Sequence, residues 1–169
     1  MLDWVGSAAR AVYHRFPRIS ILYVDQDGQP VREACAGVPF LDKGCVPATE
    51  AALGIRAMDL LLAPFTDGIS TRRTLAMSAL QHGVPLCSTI SKWSDSVFRD
   101  WRRPGLSLCN PSRVEKYVSC VLAVTDEVLG NANLGNHLKD FYDARSSWPV
   151  ISNRMLAQLG WEASKMHTR

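Results

Sequence analysis

Apolar and polar positions along this chain follow two rhythms, one of period two and one near 3.6, which predict strands exchanging with helices about every twenty residues. Residues 4–15 carry apolar positions at helical spacing and lead through Phe16-Pro17 into Ile19–Val24, a β-branched and aromatic run that predicts a strand. Asp25-Gln26-Asp27-Gly28 closes it. A short helix is expected around Val31–Ala36, then a third short strand at Val38–Leu41 and a turn at Asp42-Lys43-Gly44. Pro47 opens a helix through Met58, with Glu50 in its early turns where the helix dipole favours an acid.

The segment Met58–Thr89 is the most informative. Leu60-Leu61-Leu62-Ala63 suits a strand covered on both faces, and Pro64-Phe65-Thr66-Asp67-Gly68 ends it with turn residues. Ser70 is expected to cap the following helix, Thr71–His82. On that helix Leu75, Ala76, Ala79 and Leu80 share one side, and Thr71, Thr74, Ser78 and Gln81 share another. Gly83 stops it, and Val84-Pro85-Leu86-Cys87 starts the next buried strand. A polar, aromatic loop follows from Ser88 to Pro104. Leu106–Cys109 reads as a last strand, Asn110-Pro111-Ser112 as the cap of a helix over Val114–Val124, and residues 126–159 as helical, interrupted near Gly130-Asn131 and Trp148-Pro149.

This alternation predicts one α/β domain over residues 1–169, a Rossmann-like doubly wound parallel sheet with helices on both faces and helices at the C-terminus. Ligands in such sheets sit beyond the carboxyl ends of the strands. That rule gathers Asp25–Gly28, Asp67–Arg73, Ser88–Trp93 and Asn110–Ser112 around one crevice.

Arg72 and Arg73 are then placed in the first turn of a helix, where free N–H groups and the macrodipole oppose a cation by about a few tenths of a kcal/mol. A bound anion reverses that sign, through backbone N–H bonds and guanidinium forks together. Pairing of one arginine with Asp67 and solvation of the other is the competing account. Both readings stand on the residues alone.

Composition adds limits. With 47% hydrophobic and 21% charged residues the chain matches a globular protein, and no apolar run reaches the about 18 residues of a membrane span. The start lacks an uninterrupted apolar stretch of the signal-peptide kind, so a cytoplasmic protein is expected. A net charge of +3 with scattered basic residues does not support nucleic-acid binding, and is at most a hint of an anionic ligand or membrane surface. Cys35, Cys45, Cys87, Cys109 and Cys120 contain no Cys-x-x-Cys pair, and His14, His82, His137 and His167 lack metal-ligand spacing, so no metal is expected.

The acids Asp25, Asp27 and Asp67 with Thr89 invite comparison with a phospho-receiver, which fails because Asn110-Pro111 stands where that fold needs a lysine. Neither a Gly-x-Gly-x-x-Gly turn nor a P-loop occurs, so no dinucleotide or other cofactor is expected. Ser70 and Ser88 lie outside any Gly-x-Ser-x-Gly elbow.

The chain resembles the carboxy-terminal, donor-binding half of GT-B glycosyltransferases, particularly glycosyltransferase family 4 and its relatives. Ile19–Val24 is similar to a family strand, Gly44-Cys45-Val46-Pro47 to the loop before the helix leading to the donor site, and Ala57–Phe65 to an "aaDlllaPf" strand. Asp67-Gly68-Ile69-Ser70 through Thr89 resembles a branch written Asp-Gly-x-Ser-x-Arg-Arg before "alahGvPvvtT", and Phe141–Trp148 the aromatic segment near the domain end.

The resemblance implies a nucleotide-sugar donor held by Asp67, Gly68, Ile69, Ser70, Arg72, Arg73, Thr74 and Ser78, with glycosyl transfer to a glycan or lipid-linked acceptor. It assigns no catalytic residue. Retaining members place two glutamates on this helix; counting back from Gly83, those places hold Ser70 and Ser78, hydroxyls without a carboxylate's charge. The family's amino-terminal acceptor domain has no counterpart here. The chain is therefore expected to be a fragment, to assemble with an acceptor-domain polypeptide or itself, or to be a non-catalytic binding module. Trp93, Phe98, Trp101, Arg102 and Arg103 in one loop suit the last, since aromatic and arginine residues dominate interface hot spots.

Overall fold

The computed structural model describes residues 1–110 and 112–160. Pro111 of the expected capping turn, His167 and the end of the expected domain lie outside the described residues. The element order is α1 (Leu2–Arg15), β1 (Ile21–Tyr23), α2 (Gln29–Ala34), β2 (Phe40–Asp42), α3 (Ala48–Arg56), β3 (Leu61–Ala63), α4 (Thr74–His82), β4 (Leu86–Thr89), α5 (Ser96–Arg99), β5 (Leu106–Cys109), α6 (Val114–Gly130), α7 (Leu134–Arg145) and α8 (Trp148–Gln158). All strand pairs are parallel, as the alternation predicts. Their hydrogen bonding divides them into two sheets, β1-β2 and β3-β4-β5.

Period two along the strands of the larger sheet builds a core on each face. Leu61, Ala63, Leu86 and Leu106 point to α4 and α7, where Ala76, Ala79, Leu80, Leu138 and Phe141 complete a cluster. Cys87 and Cys109 point the other way, to Ala8 and Val12 of α1 and Tyr117, Val121 and Val124 of α6. Helices thus cover both faces, the doubly wound arrangement. Leu80 and Leu86 are fully buried, each stabilising the fold by roughly 1.5–3 kcal/mol relative to exposure.

Helix α1 joins the two sheets. Ala8 and Val12 belong to the core of the larger sheet, while Ala9 packs with Cys35 and Val38 of the smaller one. No residue of β1 or β2 is fully buried. The smaller sheet is accordingly the less covered part of the fold.

Helix α4 departs from its expected start. It begins at Thr74, with Arg73 as N-cap residue and no side-chain cap, and Ser70 does not cap it. Leu75, expected on the packed side, is 43% exposed. The stop is as expected: Gly83 is left-handed (φ 69), and an added Cβ would lie 2.8 Å from the Gly135 carbonyl oxygen, so α4 and α7 cross where neither chain carries a side chain. Helix α6 runs past Val124 to Gly130, and the loop after β4 contains the short α5. No helix among the described residues is long and apolar enough to cross a membrane.

Candidate functional site

The carboxyl ends of β3 and β4 carry the residues that the sequence singles out. Beyond Ala63 the chain turns through Pro64–Gly68, and Thr89, the last residue of β4, holds the turn at both ends. Its hydroxyl accepts the Phe65 N–H at 2.9 Å and donates to the Phe65 carbonyl, while its own carbonyl accepts the Ile69 N–H at 2.8 Å. Ser88 donates to the Ala63 carbonyl at 2.6 Å, and Ser91 to the Asp67 carbonyl at 2.5 Å. Gly68 lies at φ 84 where a Cβ would overlap the Ser94 hydroxyl. Only glycine lets the turn approach the segment after β4 this closely.

Asp95 explains the late start of α4. Its Oδ2 accepts the Thr71 N–H at 2.6 Å and the Thr71 hydroxyl at 2.8 Å. Those bonds hold Thr71 outside the helix, and residues 71–73 form a separate turn closed by Arg73 N–H to Ser70 carbonyl at 3.0 Å. The donors from the Thr71 backbone and hydroxyl hold the Asp95 carboxyl below the usual carboxylate range.

The two arginines differ in role. Arg73 is bonded to Asp67, whose carboxyl is held down first by that hydrogen bond, and its guanidinium stacks over Phe65 at 4.8 Å. Arg72 is exposed and makes no ion pair among the described residues. The pairing of Asp67 with one arginine, left open by the sequence, is thus present.

Asp67, Gly68, Arg72 and Arg73 come together in one turn, with Thr74 exposed at the start of α4 and Ser78 half-buried further along it. Ile69 is fully buried and Ser70 is 7% exposed, and the Ile69 N–H and Ser70 carbonyl are bonded within the fold, so the side chains of these two do not face a ligand. Ser88–Trp93 contacts the turn directly. Asp25–Gly28 follows β1 in the other sheet and is bonded to the elements on either side of it, Tyr23 hydroxyl to Asp27 carbonyl at 3.0 Å and Gln29 N–H to Asp27 Oδ1 at 3.0 Å.

Sequence reasoning passed over Ser94 and Asp95. Their signal was the run of hydroxyls from Ser88 to Ser94 ending in an acid before a helix, a pattern that reads as wettable loop until its partners are known. Two open cavities of about 340 and 360 Å³ flank the sheet, and neither is lined by residues 64–73. Among the described residues no three His, Cys, Asp or Glu side chains converge as metal ligands.

No protein-family model matches the chain, and no curated protein matches it in sequence. Among solved structures it is similar to a chain in the crystal structure of the GtfA/B complex, at 16% identity and a TM-score of 0.57, over 83% of this chain and 30% of that one. The likeness is one of fold, a parallel α/β arrangement with helices on both faces of the sheet. The chain spans 30% of the length of that neighbour.

Proposed function

We propose that the turn between β3 and α4 binds the diphosphate of a nucleotide sugar, and that the chain is a donor-binding domain whose acceptor domain is supplied by other polypeptide. The observation that carries this reading is Arg72, an exposed guanidinium that closes no ion pair among the described residues although its charge reaches the Asp67 and Asp95 carboxylates, two positions before a helix with no side-chain cap. Free first-turn N–H groups and a guanidinium fork are complementary to a phosphate. Arg73 joins when phosphate displaces Asp67, an exposed pair that is cheap to open.

Ser78 supplies a hydroxyl but no carboxylate charge, and the Ser70 side chain is buried, so the domain binds its donor more weakly than one with acids at those places. Transfer to a glycan or lipid-linked acceptor needs a second wall to the cleft, because proximity of donor and acceptor is most of what such a site contributes. The neighbouring fold belongs to a complex of two chains, which supports a partner polypeptide here. The cytoplasm is the compartment we propose, on five cysteines that are all free thiols.

Calorimetric titration with a panel of nucleoside diphosphates tests the reading. Binding of one of them tighter than about 1 mM in low salt is expected. A folded protein that binds none of them overturns it, leaving a binding module without donor chemistry. Trp93, 68% exposed beside the turn, is the observation that favours that second reading.

A further inference from the structure

A groove away from the turn carries an unbalanced charge. It is an open groove of about 360 Å³ between α5, the segment leading to β5, and α7, and its lining includes Asp100, Trp101, Arg102, Arg103, Phe141 and Arg145. Three arginines thus line the groove beside one aspartate, and none of the three makes an ion pair among the described residues. Like charges gathered in a concave surface repel one another, and an anion in the groove removes that cost.

The groove is also fixed in shape. Phe141 is 6% exposed, with the Trp101 ring edge-on to it at 4.6 Å and 81°. Trp101 Nε1 donates to the Arg103 carbonyl at 2.6 Å, which sets the indole and the Arg103 backbone together. Arg102 Nη1 donates to the Trp101 carbonyl at 2.8 Å and to that of Arg99 at 3.3 Å, and its other donors have no protein acceptor among the described residues. Arg145 lies over the Phe141 ring at 5.7 Å. The Arg102 guanidinium, held by two carbonyls, loses little freedom when a ligand arrives.

We propose that this groove binds a phosphate ester with an apolar body, the oxyanion between Arg102, Arg103 and Arg145 and the body against Trp101. Three forked donors match a dianion with three free oxygens better than a carboxylate, which has one charge and two oxygens. The half-buried Trp101 ring distinguishes an ester from inorganic phosphate. The inference stands apart from the donor site, since none of these residues belongs to the turn at 64–73.

The experiment is titration of the whole chain with phenyl phosphate, with benzoate and inorganic phosphate as competitors of lesser charge and lesser body. Phenyl phosphate is expected to bind tightest, to weaken about tenfold in Arg102→Gln and in Arg145→Gln, and to keep its affinity in Arg72→Gln. Flotation with phosphatidylcholine vesicles containing phosphatidic acid separates the sources: co-flotation lost in Arg145→Gln assigns the site to a lipid headgroup, and binding of phenyl phosphate alone to a soluble ester. Equal affinity for benzoate, unchanged affinity in both glutamine variants, or loss in Arg72→Gln overturns the proposal. Should Arg145→Gln not fold, Arg145→Lys keeps the charge and stem but not the fork. Unchanged binding there overturns the proposal as well.

Discussion

Asp95 and Thr71, 24 residues apart, are joined by two hydrogen bonds to a single carboxylate oxygen, at 2.6 Å from the Thr71 N–H and 2.8 Å from its hydroxyl. This link sets where α4 begins. Removing the acceptor leaves Thr71 free to enter the helix and the segment after β4 without its hold on the turn. Asp95→Ala is expected to lower stability by about 1–2 kcal/mol, and Asp95→Asn by less, because an amide oxygen accepts the same bonds without charge. Urea unfolding of the three proteins checks the order. Equal midpoints would show that the link contributes nothing to stability.

Acid should find the same link. The Asp67 and Asp95 carboxyls are both depressed in the fold, the first by its bond from Arg73 and the second by donors from Thr71. A depressed acid contributes stability that is fully present above its unfolded value, about 3.9, and is lost as pH falls through its lower folded value. The urea midpoint should therefore hold from pH 7 to about 5 and fall below 4. In Asp95→Asn that acid limb should be shallower, since one of the two protons taken up on unfolding is gone. A limb as steep as in the parent protein would remove Asp95 from the account.

How much of this was legible in advance depended on whether a feature was local. Leu106–Cys109 forms a strand with the expected bounds, and Gly83 stops α4 where its missing Cβ is needed. Pro64–Gly68 is a turn because its residues prefer turns. The start of α4 was missed because Asp95 competes for Thr71 from the far side of β4, and no helical periodicity carries that information. The division into two sheets was missed for a related reason: apolar runs identify strands, while edge pairing depends on α1 packing into both cores. At the site, Arg72 and Arg73 looked alike in sequence. Only the position of Asp67 and the Phe65 ring separates them.

That separation makes the arginines testable one at a time. The helix dipole alone opposes two cations at a helix start by about a few tenths of a kcal/mol, so their joint loss would leave stability unchanged or slightly improved if neither were bound in the fold. With Arg73 paired and stacked, Arg73→Ala should instead lower the melting temperature, the ring contact alone accounting for about 0.5–1 kcal/mol. Arg72→Ala should leave melting unchanged and abolish nucleoside diphosphate binding, which loses charge-assisted bonds of roughly 1.5–3 kcal/mol each. Paired melting curves with and without ligand read both effects. Equal loss of stability in the two variants would show that Arg72 is structural too, and the donor reading would lose the residue that carries it.

Strand β3 offers the last test, because it has a central strand's sequence at a sheet edge. The Leu61 N–H donates to the Pro85 carbonyl at 2.8 Å, which points residue 61 toward β4 and, by alternation, the N–H of Leu62 away from it. Leu62 N–H thus faces the open edge of the sheet, since β3 is paired on the β4 side only among the described residues. Proline at 62 then removes no ladder bond, and the extended backbone before it tolerates the ring, whereas proline at 61 removes one bond and an almost fully buried side chain. Leu61→Pro is expected to be the more destabilising by about 1–3 kcal/mol. Chemical denaturation of the two variants measures the difference. If they unfold at the same midpoint, the free edge of β3 is bonded in solution, and the sheet continues past Leu62 rather than ending there.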